Sequence, residues 1–119
     1  MISERHCWHY AVPQGSASLY LNAQDCKIRV TRWKKPEIMI EAVLTPAQAW
    51  RIKRDQDENG VYMVIHGRKL FKKFRQAALE IYIPEQSETV FKLDDCDLQL
   101  ANLKGGFNMS QAEQGLILS

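Results

Sequence analysis

Three groups of residues in this chain carry side chains able to do chemistry. The first is "GRKLFKKFRQ", Gly67 to Gln76, in which Arg68, Lys69, Lys72, Lys73 and Arg75 are interleaved with Leu70, Phe71 and Phe74. Clustered cations bind phosphates, and exposed rings stack on bases or enter a lipid interface, so the segment fits a polyanion such as nucleic acid, or an anionic membrane. The same pattern also describes a solvated connector, with Phe71 and Phe74 anchored on the domain and the charges facing water. The second group is "RHCWHY", where His6, Cys7 and His9 offer imidazole nitrogen and thiolate, the ligands of zinc and copper. A closed zinc site needs four ligands, and no further pair follows at a familiar spacing. The segment therefore reads as a terminal stretch packing Trp8 and Tyr10 onto the domain. The third group is a repeated Asp-Cys step, Asp25-Cys26 and Asp95-Cys96.

Catalysis through Cys26 or Cys96 would need a histidine, a third orienting group and an anion hole, and no motif supplies them. His66 is isolated. There is no GxGxxG and no Walker loop; in "NLKGGF" Lys104 precedes its glycines, where a phosphate-binding lysine follows them. The acidic "DQDENG" lacks the closing glutamate of a calcium loop. No catalytic residue, cofactor or metal site is expected, and the chain reads as a non-enzyme.

Bulk properties point the same way. The chain of 119 residues is 45% hydrophobic and 25% charged with a formal net charge of +2, which suits one soluble domain and demands no nucleic acid or membrane. No stretch approaches the roughly 18 apolar residues of a membrane span. "MISERHCWHYAVPQG" lacks the apolar centre of a secretion signal, and three cysteines without a CxxC pair fit reduced thiols. A cytoplasmic location is expected.

Most of the chain alternates apolar and polar residues with the period of half-buried strands. In "SLYLNAQDCKIRVTRW", Leu19 and Leu21, then Ile28 and Val30, share a side, giving two strands joined through "NAQD". "EIMIEAVL", "VYMVIHG" and "LEIYIPEQ" are further strands, the last stopped by Pro84. "TPAQAWRIKRD" is the one helix-like piece, at most about three turns, with Thr45 as N-cap and Pro46 at the first helical position. "QDENG" is a polar turn. Trp33 and Trp50 are expected to seal the flank of the core.

From Ser87 the strands become short and evenly spaced: "TVFKLDD", "CDLQLAN", "GGFNMSQ" and "GLILS". Such spacing suits a coiled sheet, and the absence of a two-residue Asn-Gly or Asp-Gly turn among them disfavours hairpins. Aligning Cys26 with Cys96 sets Ile28 on Leu98 and Val30 on Leu100; a one-residue gap then sets Ile38 on Phe107 and Ile40 on Met109. The echo preserves apolar positions while Lys27 becomes Asp97 and Arg29 becomes Gln99. It marks a repeated scaffold, with Asp25 and Asp95 as turn formers whose side chains bond the local backbone.

The stretch "LEIYIPEQSETVFKLDDCDLQLANLKGGFNM" resembles the putative-adhesin domains of bacteria: a strand, a proline-ended step, then alternating strands broken by small-residue turns leading to glycine. The resemblance runs from about Ser18 to Met109. It implies a β-solenoid, often preceded by a less regular β-layer, and brings no catalytic residues. The expected object is an all-β protein: residues 1–17 as an N-terminal segment, then one β-rich domain over 18–119. That domain is a short β-solenoid or β-roll-like stack with an N-terminal β-layer and one short helix. A stack ends in unpaired backbone groups and normally needs a cap. A structural or interaction module that self-associates as a dimer through Phe107, Met109, Leu116, Ile117 and Leu118 is therefore expected, with an unlike protein partner also open. The alternative is weak binding of a polyanion or anionic membrane by residues 68–75.

Overall fold

A computed structural model describes residues 3–12, 17–69 and 74–101 with their side chains, and Asn102 and residues 107–118 by their backbone. Among the described residues there are nine strands: β1 (Glu4–Ala11), β2 (Ser18–Gln24), β3 (Cys26–Trp33), β4 (Glu37–Thr45), β5 (Trp50–Gln56), β6 (Gly60–Gly67), β7 (Gln76–Pro84), β8 (Glu88–Asn102) and β9 (Phe107–Leu118). They make one sheet in the order β1-β4-β7-β3-β8-β2-β6-β5, with β9 on β8.

Two corners fold this sheet over its own apolar face. Asp25 and Asp95 have φ of 56° and 54°, the left-handed region that Asp tolerates better than most residues, and each turns the chain in a single step. The expected four-residue link "NAQD" is therefore corrected: Asn22, Ala23 and Gln24 belong to β2, and Asp25 alone makes the corner. β8 bends at Asp95 in the same way, its first half pairing in parallel with β2 and its second half with β3. β6 and β7 flank β2 and β3 on the other side, also in parallel. Three layers, β6 with β7, β2 with β3, and the two halves of β8, thus lie in register.

Register explains the echo. Leu21 stands between Met63 and Phe91, and Ala23 between Ile65 and Leu93. Beyond the corner, Ile28 stands between Leu79 and Leu98, and Val30 between Ile81 and Leu100. The Ile28–Leu98 and Val30–Leu100 matches read from the sequence are therefore direct neighbours in space. Except for the half-buried Leu100, these positions are at most 2% exposed. Each fully buried Leu, Ile or Phe contributes about 1.5–3 kcal/mol relative to leaving it in water. The thiols repeat too: Cys26 Sγ donates to the Gln24 carbonyl at 3.2 Å, and Cys96 Sγ to the Asp94 carbonyl at 3.4 Å. The Asp-Cys step is a corner followed by an inward-turned small residue.

The echo stops after the second layer, because β4 pairs antiparallel with β7 and β1, whereas β9 pairs antiparallel with β8. The four short C-terminal strands are in fact two long ones forming a hairpin, a correction to the expected coil. The expected helix is also corrected to a 3-10 turn, Ala47–Ala49. Pro46 is extended (ψ 155°), not helical, and Trp50 onward pairs with β6. An isolated helix this short cannot offset its nucleation cost, whereas the ladder to β6 forms against an existing core. The N-terminal residues from Glu4 join the sheet as β1, paired with β4.

The two ends of the sheet path approach each other. Arg54 of β5 donates through Nη1 to the Tyr10 hydroxyl at 3.0 Å, and its guanidinium lies 4.6 Å from the centre of the Trp8 ring. Side chains instead of a ladder join β5 to β1, leaving a nearly closed, barrel-like sheet.

Candidate functional site

Arg75 organises the corner side of the fold. It is buried, its side chain 3% exposed, and its Nη2 donates to the Asp25 carboxylate. Nη1 donates to the Arg68 carbonyl at 2.6 Å, and the guanidinium lies 5.5 Å from the Trp50 ring centre. Gly67 makes room for it: a Cβ there would sit 2.0 Å from Arg75 Nε. Sequence reasoning grouped Arg75 with the surface cations, and the structure places it inside, holding the loop after β6 to the Asp25 corner. Asp25 accordingly bonds Arg75, not the local backbone as expected.

Beside this post lies a cleft of about 710 Å³ lined by Gln24, Arg51, His66, Arg68, Lys69 and Arg75, with no carboxylate among the described residues of its wall. Arg68 and Lys69 are exposed. Lys72, Lys73 and Phe71 lie outside the described residues. Phe74 is 61% exposed, so its expected anchoring on the domain is corrected. Two contributors, Arg51 and His66, were missed. They are cross-strand partners in the β5–β6 hairpin, so reading "WRIKRDQ" as a strand entering the "DEN" turn would have placed them together. His66 Nε2 is 3.1 Å from Asn22 Oδ1, which fixes the ring at the rim. A neighbouring cleft of about 320 Å³ contains Asp25, Lys27 and Thr45 with Arg75, so cation and anion alternate there.

The other groups separate. His6 stacks on Trp8, ring centres 5.4 Å apart, on the half-buried side of β1, whereas Cys7 and His9 lie on its exposed side. Tyr10 is buried and Trp8 packs against the core, as expected of this segment. Cys26 and Cys96 are buried; the adjacent Cys96 thiol, then burial, pushes the Cys26 thiol well above its ordinary value. Trp33 and Trp50 are buried at the flank; Trp33 donates to the Glu37 carbonyl at 2.8 Å and stacks on Tyr82.

The five residues expected to self-associate all lie in β9, whose side chains are outside the described set. By backbone register, Phe107, Met109, Leu116 and Leu118 stand opposite Ala101, Gln99, Lys92 and Val90, none of them buried, and Ile117 stands opposite the buried Phe91. No described strand pairs with the second edge of β9.

No family model and no curated protein matches this chain. One solved structure, described as a putative cell adhesion protein from Clostridium sporogenes ATCC 15579, is similar with a TM-score of 0.61 at 13% identity. The alignment covers 83% of this chain and 51% of that one, so this chain spans about half the length of its structural neighbour. At that identity the likeness is one of fold: a putative-adhesin-like, all-β architecture.

Proposed function

We propose that the protein is a non-enzymatic interaction module of putative-adhesin type, acting in the cytoplasm. In this reading its three parallel layers are turns of a short β-solenoid, and it self-associates as a dimer through the edge of β9. The contrast among the sheet edges carries the proposal. β5 bears Arg51, Lys53, Arg54 and Asp55, and β1 bears Glu4 and Arg5 with two histidines, the charged protection typical of edges kept from pairing. Arg54 further ties those two edges together. β9, by contrast, has Glu113 as the single charged residue in its twelve. An edge so weakly protected suits pairing with a second copy.

Light scattering after size exclusion tests this on the intact chain and on Leu116→Lys and Leu118→Lys, which keep the strand but charge it. A dimer that becomes a monomer in both variants supports the reading. An intact chain that stays monomeric at high concentration overturns it and directs the edge to an unlike protein.

A second reading rests on the cation-lined cleft: binding of a polyanion or an anionic membrane by Arg68 and Lys69 together with Arg51. Several phosphate contacts make affinity fall steeply with salt. Binding of inorganic polyphosphate that weakens with salt and is lost in Arg51→Ala, Arg68→Ala, Lys69→Ala supports this reading. Binding untouched by the three changes removes it. Arg75→Ala is unsuitable, since Arg75 holds the fold.

A further inference from the structure

The edge strand β1 carries a nucleophile and a base in contact, and the neighbouring β4 supplies a group that orients the base. Alternation along the strand puts Cys7 and His9 on its exposed side. Cys7 Sγ lies 3.4 Å from His9 Nε2, and His9 Nδ1 lies 2.6 Å from Glu37 Oε1 on β4. The carboxylate accepts the Nδ1 hydrogen, which leaves the Nε2 lone pair to accept the thiol hydrogen. This is the arrangement by which a histidine, oriented by a third group, activates a cysteine. Glu37 is held in turn, because its backbone carbonyl accepts the Trp33 indole N–H at 2.8 Å. The charged groups facing Cys7 from the rest of the strand pair are Arg5 and Glu41, 3.8 Å apart, with Glu41 the cross-strand partner of Cys7. They oppose each other, so His9 is the proton acceptor in contact with the thiol.

We propose that Cys7 is a reactive thiol that exchanges with low-molecular-weight disulfides, making β1 a site of reversible S-thiolation. In the step, His9 Nε2 takes the Cys7 proton and the thiolate attacks one sulfur of the incoming disulfide. A new bond forms from Cys7 Sγ to that sulfur, and the disulfide's own S–S bond breaks. The departing thiolate takes the proton from His9, so Cys7–SH and R–S–S–R give Cys7–S–S–R and R–SH. Cys26 and Cys96 are buried in the core, while Cys7 is exposed. Neither buried thiol is placed to resolve the adduct, which persists until an external thiol removes it. A bound thiol adds bulk on an exposed edge strand.

The test uses the full chain with glutathione disulfide at pH 7, followed by intact-mass spectrometry over time. One adduct per chain is expected, absent in Cys7→Ser and reversed by free thiol. General-base assistance contributes about 10²–10⁴-fold in enclosed sites, and on an open strand His9→Gln is expected to slow adduct formation about tenfold. Glu37→Gln is expected to slow it to an intermediate degree, with Glu37→Asp restoring part of the rate. Circular dichroism establishes that each variant is folded. Equal rates for the native chain, His9→Gln and a urea-unfolded chain would overturn the proposal, as would an adduct on Cys26 or Cys96 in the folded protein.

Discussion

Asp25 and Asp95 occupy the same backbone conformation and precede the same residue type, yet Asp25 alone is bonded to Arg75. Replacing each with glycine separates the corner from the ion pair. Glycine adopts positive φ freely, so the backbone requirement stays met at both sites, and Asp95→Gly is expected to change stability by less than about 1 kcal/mol. Asp25→Gly also strips the carboxylate from a guanidinium whose side chain is 3% exposed. Removing one partner of a buried pair costs about 3–5 kcal/mol. The Asp25 side chain is 25% exposed and water can partly replace it, which sets the expectation near the lower end, about 3 kcal/mol. In a domain of this size that lowers Tm by about 12 °C. Urea unfolding gives both free energies, with an unchanged m-value showing that the same surface is exposed. A second variant, Asp25→Gly with Arg75→Met, replaces the stranded cation by an apolar side chain and is expected to recover much of the loss. Equal costs for the two glycine variants, within about 0.5 kcal/mol, would refute the role given to the Asp25–Arg75 pair.

Phe91 is fully buried, and Phe91→Ala is expected to cost about 3–5 kcal/mol in the same assay. The two glycines at the ends of β6 should differ. A Cβ at Gly60 would lie 1.9 Å from the Ser18 carbonyl oxygen, a backbone atom, whereas one at Gly67 meets the Arg75 side chain. Gly60→Ala should therefore be the worse substitution and should speed hydrogen exchange across β2, while Gly67→Ala should loosen the Arg75 corner. The Tyr82 phenol is raised above its ordinary value by burial, then by Glu80 and Glu41. A group raised in the fold contributes stability that is present below its unfolded value and lost as pH rises through the folded one. The unfolding midpoint should thus fall above about pH 10, less so in Tyr82→Phe, and absorbance near 295 nm should show a late ionisation that is missing in Tyr82→Phe.

Alternation alone assigned β2, β3, β4, β6 and β7 as strands, and the Asp-Cys echo assigned the register of β3 on β8. Period-two alternation places Leu19, Leu21, Ile28 and Val30 inside because a strand has two faces and one is dry. The Cys26–Cys96 echo fixes which residues of β3 and β8 stack, because in-register parallel strands put like positions side by side. Pairing direction was decided only in three dimensions. β4 and β9 alternate as regularly as the parallel strands do, and alternation is the same whichever way a neighbour runs. The segment after Pro46 carried helical signals that the waiting edge of β6 overrode. Chemistry depended still more on tertiary structure. The composition of "GRKLFKKFRQ" reveals five cations but not that Arg75 is drawn inward by Asp25, fifty residues away. "RHCWHY" presents two histidines around a cysteine, and the strand pleat decides which one meets the thiol. Only the β1–β4 pairing brings Glu37 to His9, because a contact between segments distant in the chain is set by how the sheet folds, not by local spacing.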